Sequence, residues 1–240
     1  MTENPALHAL LEVQAHDTKL DQLRYQLENL PAREHRDAAA GALTDTEATL
    51  AAETVTRDDL ARQQKRVDDE IELLKAKRQG FDTKLYSGSV TNPRELQDLQ
   101  DEVDSLSRRI SKLEDAELEI MEQLEPVEAR VVELDSTVEQ RRAVLDDAEL
   151  RLTASDAEVR AAIDSEEAVR VTTADSVPEA LLAEYQKLRS GLGGIGVARL
   201  TGSQCGGCHL TLSAMEAARM RKLPADELGH CEECGRILVP

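Results

Sequence analysis

The chain has no tryptophan, one phenylalanine and three tyrosines among 240 residues. A compact core usually draws on aromatic bulk, whereas a seam between paired helices does not need it. No apolar run approaches the roughly 20 residues that span a bilayer. The N-terminal Met1-Thr2-Glu3-Asn4-Pro5 lacks the basic start and apolar centre of a signal peptide. Basic residues are in deficit: 29 Lys and Arg against 48 Asp and Glu give a formal net charge of -19. That argues against bulk, sequence-independent nucleic-acid binding, which rests on phosphate neutralisation. Cysteine is limited to four residues. The expected compartment is therefore the cytoplasm, and the cysteines are expected to ligate metal rather than form disulfides.

What is abundant is helix-forming sequence with few breakers, and the main breaker cluster lies near the middle. In Leu85-Tyr86-Ser87-Gly88-Ser89-Val90-Thr91-Asn92-Pro93-Arg94-Glu95-Leu96, Gly88 can end one helix in the left-handed conformation. Asn92 can cap the next, with Pro93 at its first position and Glu95 at capping-box spacing. A short loop between two helices sends the second back along the first.

The hydrophobic phase agrees. After the turn, alternating steps of three and four run from Leu96, Leu99, Val103, Leu106, Ile110 and Leu113 through Ile120, Leu124, Val127, Val131, Leu134 and Val138 to Leu145, Ala148, Leu152, Val159 and Ala162. Only Glu117, Arg141 and Ser155 interrupt this heptad seam with polar side chains. Before the turn, Leu85, Phe81, Arg78, Leu74, Ile71, Val67, Gln64 and Leu60 keep the same rhythm, which fades at Arg57 and Glu53 and returns at Leu50 and Leu43. A further seam uses Val13, Leu20, Leu23, Leu27 and Leu30. These patterns predict a first helix from Asn4-Pro5 to about Leu30, a kink or short break at Pro31, a long helix over 32–85, and a returning arm from Pro93 to about Val171, bent at Pro126.

Charge is uneven along the arms. From Lys75 to Arg94 the cations Lys75, Lys77, Arg78, Lys84 and Arg94 meet a single acid, Asp82. With Tyr86 and Val90 between the capping signals, these residues form a candidate partner-binding tip. Ordinary solvated faces produce similar charge runs, and Tyr86 with Val90 could simply close the loop.

The stretch 172–177 reads as a linker, with Ser176 and Glu179 at capping-box spacing ahead of a short helix from Pro178 to about Arg189. Then come Cys205-Gly206-Gly207-Cys208 and Cys231-Glu232-Glu233-Cys234. Each C-x-x-C lets one tight turn aim two sulfurs at one ion. Two such turns complete a tetrahedral thiolate shell suited to a single structural zinc, with no open position for a reacting water. A lone pair would suit redox chemistry instead. Gly206, Gly207 and Gly235 would relieve the backbone around the sulfurs. His209 and His230 flank ligands and read as ribbon surface or as support for the ligand shell. Strands are expected at 197–201, 209–212 and 236–239, and a helix at 214–223.

The chain resembles the C4-type zinc ribbon family whose members carry an N-terminal coiled-coil helical hairpin. The resemblance rests on the segment 87–96, on Cys205-Gly206-Gly207-Cys208, and on Cys231-Glu232-Glu233-Cys234-Gly235-Arg236-Ile237-Leu238. It implies a mainly α fold: a long antiparallel coiled-coil hairpin over 1–171, turning at about 86–93, then a small β-rich zinc ribbon within 172–240. It also implies an elongated, kinked hairpin with the ribbon at its open end. Some family members act in flagellar regulation or type III secretion by binding an alternative sigma factor, a secretion component or messenger RNA.

The function expected on these grounds is a non-enzymatic adaptor, monomeric or weakly dimeric, that docks a protein partner through ribbon and tip. A nucleic-acid-binding regulator, for RNA or DNA, is the alternative. Against it, Arg199, Arg219, Arg221, Lys222 and Arg236 are offset by Glu216, Asp226, Glu227, Glu232 and Glu233. No nucleophile triad, phosphate loop or paired carboxylates in a pocket point to an enzyme.

Overall fold

The computed structural model describes residues 4–224 and 227–240. The reading of Met1–Glu3 and the charge assigned to Asp226 lie outside the described residues. Five helices and three strands follow in the order α1 (Pro5–Glu28), α2 (Pro31–Tyr86), α3 (Pro93–Ala174), α4 (Glu179–Gly191), β1 (Val197–Thr201), β2 (Gln204–Cys205), α5 (Ala214–Arg221) and β3 (Ile237–Val239). Two compact units result, one from residues 36–148 and one from residues 4–35 with 149–240.

The first unit is the hairpin proper. Asn92 Oδ1 accepts from the Arg94 amide at 3.0 Å, and Gly88 takes φ 73°. Gly88 and Asn92 thus act as expected of them, with the cap bond made to the Arg94 amide. Cross-helix ion pairs join Lys77 to Glu102, Arg109 to Glu70 and Arg142 to Glu47. The partner's number falls as the first rises, which is the antiparallel register. Ile71, Leu74, Leu106 and Ile110 form one buried cluster, flanked by Val67, Phe81 and Leu113. Burying each such aliphatic side chain contributes about 1.5–3 kcal/mol. Along α3 within this unit, the seam positions from Leu96 to Ala148 are buried or half-buried, except Arg141, which is exposed. Arg141 with Ala42, Thr46 and Thr49 borders a groove of about 480 Å³, where small and polar side chains leave the seam unfilled. α3 remains helical through Pro126.

The second unit packs α1, the end of α3 and α4 against the ribbon. Asn4 Oδ1 accepts from the Ala6 amide at 3.0 Å, starting α1. α1 stops at Asn29, and α2 begins afresh at Pro31. Leu7, Leu10 and Val13 of α1 bury against Val177, Leu181 and Tyr185 and against Val197, Ile237 and Val239 of the sheet. The sheet order is β2-β1-β3, with β1 antiparallel to β2 and parallel to β3.

Three expectations need correction. The seam of α3 does not continue to Ala162, which is exposed; it passes through Val159, Ile163 and Glu166. Ser176 does not cap α4: its hydroxyl donates to the Thr173 carbonyl at 2.6 Å, and Pro178 starts the helix without a side-chain cap. That turn continues directly from α3, which extends to Ala174 into the expected linker. Residues 209–212 form no strand. Only Thr211 makes an isolated bridge, to Gln204, because His209 at φ 60° turns the chain away from an extended path.

Candidate metal centre and the surfaces around it

The four cysteine sulfurs converge within 4.8 Å of one another. Cys205 Sγ lies 4.0 Å from Cys234 Sγ, and Cys208 Sγ lies 3.9 Å from Cys231 Sγ. A tetrahedron with zinc–sulfur bonds of about 2.3 Å has edges of about 3.8 Å. The donor set therefore fits one zinc ion, and four soft thiolates close its shell.

Both C-x-x-C turns are built alike. The Cys205 carbonyl accepts from the His209 amide at 2.9 Å, and the Cys231 carbonyl accepts from the Gly235 amide at 2.8 Å. The Cys205 amide donates to Leu210 O at 3.0 Å, as the Cys231 amide donates to Arg236 O at 2.9 Å. The residue closing each turn must adopt positive φ. Gly235 does so at 72° without a Cβ penalty, whereas His209 does so at 60° at a steric cost. His209 is thus the backbone counterpart of Gly235, and neither it nor His230 belongs to the converging set. His230 Nε2 instead meets Glu184 Oε1 of α4 at 2.9 Å. Gly206 lies against β1, where an added Cβ would sit 2.9 Å from Arg199 O.

Burial pushes the Cys231 thiol up to about 12. Burial pushes Cys234 the same way, yet the Arg236 amide and side chain bring it down to about 7. Binding zinc as four thiolates must therefore displace protons.

A buried polar network fastens the ribbon's neighbours together. Asp17 of α1 accepts from Tyr185 Oη at 2.7 Å and from Arg170 Nε at 3.0 Å. Burial would raise the Asp17 carboxyl, but these bonds and the Arg189 charge outweigh it and hold it below its ordinary value. Gln14 donates to Gly194 O at 2.9 Å and accepts from the Gly196 amide at 2.8 Å, fixing the turn that leads into β1. Sequence reasoning passed over these residues. Their signal was Asp17, a carboxylate in seam phase between Val13 and Leu20, followed by the aromatic Tyr185 on an otherwise aliphatic helix face.

The hairpin tip differs from a basic collar. Lys75 pairs with Glu114 at 2.7 Å, and Lys77 pairs with Glu102 at 3.2 Å while lying 5.5 Å from the Phe81 ring centroid. The first turns of α3 carry Arg94 together with Glu95, Asp98, Asp101 and Asp104. The tip therefore mixes both signs, and Lys75 and Lys77 are matched by acids of α3. Arg78 is half-buried, and Lys84 and Arg94 are exposed and make no ion pair among the described residues. Tyr86 is 80% exposed, while Val90 is half-buried.

The CT398-like coiled coil hairpin domain matches residues 13–193 of this chain. The chain belongs to that family. A C4-type zinc ribbon domain follows at residues 204–238, which makes the four cysteines the ligands of one structural zinc. An uncharacterised protein of Mycobacterium tuberculosis is 33% identical over 96% of this chain and 94% of its own length. An uncharacterised Mycobacterium leprae protein is 27% identical over 92% of this chain and 94% of its own. Among solved structures, one from Mycobacterium smegmatis matches with a TM-score of 0.86 at 24% identity, covering 99% of each chain. CT398 from Chlamydia trachomatis matches with a TM-score of 0.67 at 19% identity, covering 98% of this chain and 97% of its own. These structural likenesses establish the shared fold of this CT398-like chain. No helix among the described residues is long and apolar enough to cross a membrane.

Proposed function

We propose that this CT398-like protein is a non-enzymatic, cytoplasmic docking protein that binds protein partners through its zinc ribbon and its hairpin tip. The observation that carries the reading is apolar exposure on anchored backbone. Leu210 is 52% exposed just after the first C-x-x-C turn, Met215 is 83% exposed in the first turn of α5, and Tyr86 stands out from the hairpin turn. The metal holds the first pair and the caps hold the turn, so little ordering entropy opposes binding there. Four thiolates leave the metal no coordination site for a substrate, so its role is to hold this surface. A nucleic-acid partner at the tip is the second reading. It draws on Lys84 and Arg94, but Asp98 and Asp101, exposed in the first turns of α3, disfavour a phosphate backbone.

A photo-crosslinking residue placed in turn at Met215, Tyr86 and Val132 tests this in cells. Val132 serves as control because it is 69% exposed in the middle of α3, in neither the hairpin turn nor the ribbon. Discrete protein adducts at Met215 or Tyr86, and none at Val132, are expected. Adducts carrying RNA would establish the second reading, and equal labelling at all three positions would remove both.

A further inference from the structure

Between the first turn of α1 and the edge of the ribbon lies a cavity of about 420 Å³, within the size range of ligand pockets. Its floor is apolar and firmly packed: Leu7, Met220, Leu238 and Val239 are all buried. Its rim carries the cations Arg199, Arg221 and Lys222, all exposed, beside the half-buried ring of His8. The acidic side chain among the lining residues is Glu227. Such a rim stands out in a chain whose net charge is -19.

The cations are held by regular structure. Arg199 points outward from β1 between buried Ala198 and Leu200, and its backbone is in register with Val239 of β3. Lys222 is the C-cap residue of α5. Arg221 is partly committed, donating to the Gly202 carbonyl, whereas the side chains of Arg199 and Lys222 make no hydrogen bond or ion pair among the described residues. Two free cations above a greasy floor call for a ligand with carboxylates at its flanks and an aliphatic or aromatic side chain between them. Nucleic acid fits less well, because bases are held by stacking and no Phe, Tyr or Trp lines the cavity.

We propose that this cavity receives an acidic segment of a partner protein, with an apolar side chain seated on Leu7, Met220 and Leu238 and its neighbouring carboxylates on Arg199 and Lys222. The proposal rests on the protein-docking reading and gives it a specific pocket and ligand chemistry.

The test uses the full-length zinc-loaded protein and a fluorescein-labelled peptide of aspartates and glutamates around a central Leu-Phe pair. Two comparison probes are the same peptide with Ser-Ser at its centre and an oligouridine RNA. Anisotropy titration is expected to show saturable binding of the Leu-Phe peptide, weakened at least about ten-fold by Ser-Ser. Arg199→Glu with Lys222→Glu, both exposed, should weaken it at least about ten-fold with zinc content and helicity unchanged. His8→Trp, which keeps those cations but fills the cavity, should weaken it as well. Equal affinity for the Ser-Ser peptide, tighter binding of the RNA, or unchanged affinity in both variants would overturn the pocket. Loss of all peptide binding while crosslinking at Met215 or Tyr86 persists would overturn the pocket alone and leave the docking reading standing.

Discussion

The hairpin and the ribbon solve the same problem with opposite means. In the hairpin, stability is spread along a ladder of aliphatic contacts such as Ile71, Leu74, Leu106 and Ile110, and the ion pairs beside them are solvent-exposed. The ribbon has three short strands and a small core, Ala198, Leu200, Met220 and Leu238, wrapped around four sulfurs. A ladder loses little when one rung fails. A core organised around one ion loses everything when that ion leaves. The difference shows how a chain with almost no aromatic bulk can still carry a rigid small domain.

Removing the metal should have the largest effect. Cys208→Ser should unfold the ribbon while circular dichroism keeps its helical signal, since structural zinc supplies on the order of 10 kcal/mol to such domains. Because Cys231 must give up a proton held up to about 12, zinc binding should release protons and weaken as the pH falls. Titration with zinc in buffers of different ionisation enthalpy measures that release.

The next largest effect belongs to the junction between α1, α3 and α4. Asp17→Ala leaves Arg170 and Arg189 around an uncompensated site and should cost about 3–5 kcal/mol in urea unfolding. The Asp17 carboxyl is lowered in the folded state, so its contribution is complete above the unfolded value of about 3.9 and vanishes as pH falls through the folded value. The gap between wild type and variant should therefore narrow in acid. Within the ladder, Ile71→Ala should cost about 2–4 kcal/mol and leave zinc content unchanged. The smallest effect sharpens the comparison inside the ribbon itself. His209→Gly should stabilise it by about 1 kcal/mol, seen as slower zinc loss to a chelator, because the residue already occupies a glycine conformation.

Periodicity and spacing made the helices, the turn and the metal ligands legible, because each rests on contacts a few residues apart or on one repeating rule. Asn92, Gly88 and the seam from Leu96 to Ala148 behave as local chemistry dictates, Arg141 apart. What stayed hidden depends on distant partners. Asp17 and Tyr185 meet across 168 positions of sequence, and no local rule marks that encounter. Glu102 and Glu114, the partners of Lys77 and Lys75 across the hairpin, stayed hidden because a count of neighbouring charges does not say which of them pair. The positive φ of His209 broke a strand that its neighbours Leu210 and Leu212 appeared to promise.

The packing of Leu7 and Leu10 against Ile237 and Val239 also carries a temporal consequence. The hairpin can zip outward from Gly88, each new pair closing only a slightly longer loop than the last. The contact between α1 and β3 joins nearly opposite ends of the described chain, so it gains almost nothing from chance encounters in the unfolded ensemble. It becomes probable only after the two arms have already brought those ends together. The ribbon's docking onto α1 is therefore expected late in folding, after much of the ladder behind it has closed.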